Sequence, residues 1–292
     1  MSMFYQECSP AHRLRPYIRL YGVLKKPAMS EEVLKVGEIF PPSLSKVLVI
    51  VPWDSSSFWI EGLLFKGLLP TSYIAPHLNQ AFRIWVDKPM EMFAVMFQPG
   101  AFRHFFPFSV AGMEDLLIPT ADINDAGLTE FCKRARAADS FEARVELAND
   151  YFLKILQGTE PDRTYSNVLV EQMLVRPDVS IQELANSLPV SERQLRRRFL
   201  REIGVTPKKY QSQIRFSKAL YLLSCFPQMD LWEIGYRCGY TDHSHFIRAF
   251  RKAMFVTPGA FRKEVFDIAE VVSYKDVRFG QVELVLEEDA FY

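Results

Sequence analysis

The spacing of apolar residues divides the chain into two regimes. Through residue 120 the apolar residues come in short β-branched or aromatic runs, "SKVLVIVPW", "SFWIEGLLF" and "MEMFAVMFQPG", bounded by Pro, Gly, Asp and Ser. Such runs predict strands and turns. From Asn124 to Gln157 the spacing becomes three to four residues, with a break near Asp139-Ser140, which predicts two helices. "GTEPDRT" has the composition of a linker. Beyond it, short helices alternate with short breaks. Ser180 with Glu183 reads as a capping box, Ser191 as the next N-cap and Gly204 as a C-terminal stop, and a longer helix opens at Pro207.

A repeat emerges from this helical half. "SERQLRRRFLREIGVTPKKY" aligns with "DHSHFIRAFRKAMFVTPGAF", so that Leu195 matches Phe246, Arg197 matches Arg248, Phe199 matches Phe250 and Val205-Thr206-Pro207 matches Val256-Thr257-Pro258. Each copy follows a short helix, "IQELANSL" or "LWEIGYRC", across a tight turn. Two short helices around such a turn, the second carrying basic residues, make a helix-turn-helix. At about 100° per residue, Leu195, Phe199 and Ile203 share one face of the second helix, and Phe246, Phe250 and Met254 share the equivalent face of the other. Opposite them lie Arg193, Arg196, Arg197 and Arg201 in the first copy. Ser244, Ile247, Arg248 and Arg251 lie opposite in the second. On a single helix such an arc is ordinarily a solvated face; on two repeated units it matches a groove lined with phosphates and guanine acceptors.

Charge sharpens this reading. The net charge is zero, yet Asp178 to Lys263 holds fifteen Lys or Arg against seven Asp or Glu. The compensating negative charge lies mostly after residue 263, so a polyanion partner is expected for the basic module alone. His243 and His245, two apart on a helix, point about 200° away from each other and are not expected to chelate one ion. Asp242 reads as the N-cap, and His243, Ser244 and His245 as the first turn of a recognition helix, where base edges are met. The alternative is a capping turn without contacts. No metal site and no cofactor are expected.

"IGYRCGYTDHSHFIRAFRK" followed by "FVTPGAFR" resembles the second signature of the AraC/XylS family of bacterial transcription regulators, and the likeness spans Ser180 to Lys263. Three positions depart from it: Gly235 replaces alanine, Pro189 a turn glycine, and Phe255 the glycine that ends the second recognition helix. Without that glycine the helix is expected to end without an easy left-handed residue. The resemblance implies two recognition helices in successive major-groove segments of double-stranded DNA. It carries DNA contact to Arg193, Arg196 and Arg197 and to His243, Ser244, His245 and Arg248, with Arg201 and Arg251 added from the arcs. It also implies RNA polymerase as a partner and an N-terminal sensing or dimerising domain. The linker helix, about 27 Å long at 1.5 Å per residue, is a plausible spacer for helices about one DNA turn apart.

The expected fold is therefore α+β. A β-rich, barrel-like sensing or dimerisation domain with a helical end occupies 1–160, a double helix-turn-helix domain 161–263, and an acidic tail, patterned like a hairpin around Gly280, 264–292. Trp53, Trp59, Tyr73, His77 and Trp85 are candidates for lining a small-molecule effector pocket, though such aromatics more often form core. A homodimer is a further expectation. No apolar run approaches the ~20 residues that span a bilayer, and no signal peptide is evident, so a cytoplasmic protein without a membrane partner is expected. The scattered cysteines Cys8, Cys132, Cys225 and Cys238 fit free thiols in a reducing compartment. The leading function is a sequence-specific DNA-binding regulator and not an enzyme. Competing readings are an N-terminal enzyme or cysteine-dependent alkyl acceptor fused to a DNA-binding module, and an architectural DNA binder.

Overall fold

A computed structural model describes residues 4–263 apart from 27, 29, 31–37, 53–57, 63–66, 87 and 159–163. The tail 264–292, Trp53 and most of the linker lie outside the described residues. Among the described residues the N-terminal part holds ten strands: β1 (Phe4–Cys8), β2 (Ile18–Lys26), β3 (Glu38–Phe40), β4 (Val47–Ile50), β5 (Phe58–Glu61), β6 (Gly67–Leu68), β7 (Ser72–Ala75), β8 (Phe82–Val86), β9 (Met90–Phe97) and β10 (Ile118–Pro119). They form a six-stranded sheet in the order β1-β2-β9-β4-β7-β10 and a four-stranded sheet in the order β3-β8-β5-β6, with antiparallel pairing throughout.

The larger sheet is apolar on both faces. Strand side chains alternate, so one set (Tyr21, Val23, Leu48, Ile50, Phe93, Val95 and Phe97) packs against helices α1 (Ala126–Ala137) and α2 (Phe141–Ile155). The alternate set (Val47, Val49, Tyr73 and Ala75) faces Ile60, Phe82 and Ile84 of the smaller sheet. Each helix has a side-chain cap: Asp125 accepts from the Leu128 N–H and Ser140 from the Ala143 N–H.

The C-terminal part is helical: α3 (Tyr165–Val175), α4 (Ile181–Asn186), α5 (Glu192–Ile203), α6 (Pro207–Cys225), α7 (Leu231–Arg237), α8 (His243–Met254) and α9 (Pro258–Lys263). Helices α4 and α5 form the first helix-turn-helix, α7 and α8 the second, and α6 joins them. Leu195, Phe199 and Ile203 are fully buried with Leu169 and Met173 of α3, while Phe246, Phe250 and Met254 are fully buried against Phe216 and Leu220 of α6.

Local detail departs from expectation at two points. The Ser180 hydroxyl accepts from the Glu183 N–H, but the Glu183 carboxylate is drawn to Arg176 at 2.7 Å, leaving half a capping box. The reciprocal box forms one helix later, between Ser191 and Gln194. Phe255 itself adopts the left-handed conformation (φ 64°) and its N–H closes on the Arg251 carbonyl. The helix thus ends as a glycine would end it, at a steric cost of about 1–2 kcal/mol. The two turns are also built differently. The second passes through left-handed Gly239 (φ 77°), whereas the Pro189 turn closes with Leu188 N–H on Ala185 and Val190 N–H on Leu188. At Gly235 a Cβ would come 3.2 Å from the Phe246 ring, so glycine makes room for that core aromatic.

Candidate nucleic-acid interface

The burial of one stripe on α5 leaves its opposite arc in solvent. Arg193, Arg196, Arg197 and Arg201 are all exposed, and Ser191 caps the helix from the Gln194 N–H. Arg196 pairs with Glu192 at 2.7 Å one turn earlier, and Arg201 with Glu202 at 3.5 Å. The Arg196–Glu192 pair is exposed and contributes little, and the Arg201 guanidinium stays in solvent beside the buried Glu202, so both guanidiniums remain available. On α8, Ser244, His245, Arg248 and Arg251 are exposed and His243 is half-buried. Asp242 caps this helix by accepting from the His245 N–H at 2.8 Å. The imidazoles part company: His243 lies against the Phe246 ring, while His245 meets the edge of Tyr240, 5.5 Å between centroids, and lines a cleft between the β-rich and helical parts. Among the described residues no group of three or more His, Cys, Asp or Glu is placed to hold a metal ion.

Behind these arcs, the β-rich part grips both second helices by their C-terminal ends. The Ile203 carbonyl, at the end of α5, accepts from Lys46 Nζ at 2.6 Å and from His77 Nε2 at 2.9 Å. A helix C-terminus has unsatisfied carbonyls and partial negative charge, so a cation or N–H donor belongs there. The Ala253 carbonyl, near the end of α8, accepts from the Ala81 N–H at 2.7 Å. Between them, Gln213 on α6 donates to Asn79 at 2.7 Å, and Asn79 and Gln80 are held through their N–H groups by Asp115. Val110 closes over Gly204, where a Cβ would fall 2.9 Å from its side chain.

Burial sets the protonation of this contact. It pushes the Lys46 ammonium down to about 7. Burial, with Lys46 and Lys209 nearby, holds the His77 imidazolium well below the usual range. His77 therefore donates from Nε2 as the neutral ring, and Nδ1 has no hydrogen-bond partner among the described residues. Both shifts favour the deprotonated form on folding. Above about pH 7 the unfolded chain retains a lysine proton that the folded chain sheds, until both are neutral above about pH 10. Below about pH 6.5 the unfolded chain takes up a histidine proton that the folded chain refuses. Stability is thus expected to rise with pH in two windows, one below about 6.5 from the histidine and one between about 7 and about 10 from the lysine. Thermal unfolding followed across pH should show both, with Lys46→Met removing the upper and His77→Gln the lower. A profile unchanged by either substitution would rule out these groups as the cause.

Of the aromatic residues proposed for a pocket, Trp59 and Tyr73 line a cavity between the two sheets. Trp85 sits opposite Trp59 in the four-stranded sheet but outside that lining, and His77 is turned to Ile203. Burial pushes the Cys132 thiol up to about 11, and burial together with Glu142 and Glu7 raises Cys8. Neither is poised as a thiolate. The contact made by Lys46 and Ala81 escaped sequence reasoning. A lysine opening the apolar run "KVLVIV" was the available signal for the first; Ala81 carried none.

Comparison with known proteins gives this architecture its class. Residues 170–264 match a helix-turn-helix domain family, and residues 6–119 match a domain of unknown function, DUF6597. The helix-turn-helix regulator MtrA of Neisseria gonorrhoeae is 31% identical over 112 residues, 38% of this chain and 36% of MtrA. The transcriptional activator RhaS of Escherichia coli is 33% identical over 86 residues, 30% of this chain and 31% of RhaS. The chain thus spans about a third of the length of the curated relatives it matches. ToxT from Vibrio cholerae superposes with a TM-score of 0.48 at 13% identity, covering 90% of this chain and 98% of ToxT. Residues 170–264 are a double helix-turn-helix domain of the AraC/XylS class. Among the described residues no helix is long and apolar enough to cross a membrane.

Proposed function

We propose that the chain is a sequence-specific DNA-binding transcription regulator that inserts α5 and α8 into successive major-groove segments and is controlled by its β-rich part. The observation that carries this is the duplication. Two units of the same build each bury one stripe of the second helix and expose an arginine arc, and one helix joins them. A major groove admits a helix and offers acceptors that a guanidinium fork can meet two at a time. The matched relatives, MtrA and RhaS, are named as a transcriptional regulator and a transcriptional activator. RNA polymerase as a partner follows from family resemblance, and a homodimer would place four such helices on a two-fold site.

Arg197 and Arg248 occupy the same place in the two repeats, at the middle of each arc, and are assigned to guanine O6 and N7. Arg201 and Arg251 lie one turn on, where a helix entering by its first turns leaves the bases for the backbone, and are assigned to phosphates. Arg197→Ala or Arg248→Ala is expected to cost roughly 1–3 kcal/mol on the preferred site and to relax preference at one base position. Arg251→Ala should weaken all sequences about equally and lower the salt slope by about one unit. Selection from a randomised site library at two salt concentrations separates these. A change of base preference with Arg251→Ala, and none with the other two, would overturn the orientation of the helices in the groove. Equal affinity for every sequence would favour an architectural DNA binder instead.

A further inference from the structure

The basic arc of α8 lacks the acids that accompany the arc of α5. On α5, Arg196 pairs with Glu192 and Arg201 lies beside Glu202. Helix α8 holds no Asp or Glu between His243 and Met254. Arg248, Arg251 and Lys252 are exposed on it, and no carboxylate pairs with them among the described residues. The preceding helix, α7, exposes two large rings. Trp232 and Tyr236, one turn apart, stack nearly parallel with 5.6 Å between centroids, and both are more than half exposed. Two such rings side by side in solvent are apolar surface without a cover among the described residues.

The segment that follows α9 starts beside both features. Phe261 of α9 packs on Phe250 of α8, 5.6 Å between ring centroids. Arg262 donates to the Met229 carbonyl at 2.6 Å, just before α7 begins. Residues 264–292 continue from that point. They hold eight Asp or Glu against two Lys or Arg, and Glu287, Glu288 and Asp289 are consecutive. A chain of this length reaches far enough: the stretch from Lys263 to Glu287 can extend to roughly 80 Å at about 3.3 Å per residue, whereas α8 is about 18 Å long.

Charge and polarity both fit. A run of carboxylates offers guanidiniums the same anionic oxygens that a phosphate backbone offers. Tethering makes the encounter intramolecular, so exposed pairs that are weak one by one suffice. The acids are also flanked by apolar residues, Leu284 and Leu286 before them and Phe291 and Tyr292 after. A merely solubilising acidic stretch has no use for these, but exposed rings gain from being covered by them.

We propose that residues 264–292 dock on the second helix-turn-helix unit, with the acids 287–289 on Arg248, Arg251 and Lys252 and the flanking apolar residues on Trp232 and Tyr236, and that they thereby compete with DNA for α8. The competition rests on the DNA-binding reading above; the contact does not.

The test uses the full chain. A carbodiimide joins an ammonium to a carboxylate in contact with it. It should link Lys252 to residues 287–289 within one chain, and a duplex carrying the selected site should suppress that link. Glu287→Gln/Glu288→Gln/Asp289→Asn should bind the duplex on the order of threefold more tightly than the unaltered chain at about 50 mM salt, with a smaller gain at about 200 mM, where exposed charges are screened. Glu130→Gln/Glu146→Gln/Asp150→Asn makes the same change of charge at exposed positions of α1 and α2 and should gain less than half as much. Trp232→Ser/Tyr236→Ser should lower the yield of the link about twofold, because the apolar footing is lost. No link at Lys252, or a link only between separate chains, overturns the docking. A yield unchanged by the serine variant overturns the part given to the two rings. No gain from the 287–289 variant, or an equal gain from the variant on α1 and α2, overturns the competition. A chain that binds no DNA under any condition overturns the regulator reading and the competition with it, while the link still decides the docking.

Discussion

Raising the salt concentration from about 50 to about 200 mM should weaken binding of the full chain to its DNA site on the order of 10³-fold. The expectation comes from where the charge lies, since the chain as a whole is neutral. Residues 178–263 hold fifteen basic side chains, and Arg193, Arg196, Arg201, Arg251 and Lys252 are exposed on the two second helices. Six of these fifteen placed on phosphates would release counterions with a slope of log K against log salt of about −5. The exposed pair of Arg196 with Glu192 would not blunt this, because the acid screens its neighbour only weakly in water, and Arg201 keeps its guanidinium in solvent beside the buried Glu202. Affinity measured by fluorescence anisotropy over a salt series provides the slope. A slope shallower than about −2 would mean that the arcs do not lie along the backbone.

The largest stability effect is expected far from those helices. Arg144 on α2 is buried, and its guanidinium bonds the buried Glu91 carboxylate on β9. The same group donates to the Ala135 carbonyl at 3.1 Å and the Ala138 carbonyl at 2.9 Å, tying α2 both to the sheet and to the end of α1. Lys25 approaches Glu91 from the exposed side at 3.2 Å. Arg144→Met would strand Glu91 with that one partially hydrated lysine and leave two carbonyls without their donor. The expected cost is roughly 3–5 kcal/mol, the usual consequence of removing one partner of a buried pair. The double variant Arg144→Met/Glu91→Gln should regain part of it, because no unpaired buried charge remains. Urea unfolding of the full chain, followed by tryptophan fluorescence, measures both. A double variant as unstable as the single one would assign the loss to packing and the carbonyl bonds, not to the charge.

How much of this could be read beforehand differs between the two halves for a physical reason. In the helical half the determinants are local. A helix bonds residue to residue four apart and repeats its face every few residues. The stripes Leu195–Phe199–Ile203 and Phe246–Phe250–Met254, the caps Ser191 and Asp242 and the stop at Gly204 were therefore visible in the sequence, and so were the exposed arginine arcs. Phe255 shows the limit: its left-handed turn is imposed by the chain around it, not by its own preference. In the β-rich half the existence of strands was legible, but their partners were not. β9 lies between β2 and β4, and such pairings join residues tens of positions apart through backbone groups that are the same in every residue. For the same reason no pattern marked Ala81 as the donor to Ala253, or Ile203 as the acceptor shared by Lys46 and His77. His77 stood out only as a polar ring among aromatics. Only the folded chain brings it to a carbonyl 126 residues away. By itself the sequence determined the two helix-turn-helix units and the chemistry of their outer faces. The tertiary structure decided which face of each strand lines the cavity between the sheets, and that Lys46, His77 and Ala81 hold the ends of both second helices, because those relations are set by packing between distant segments.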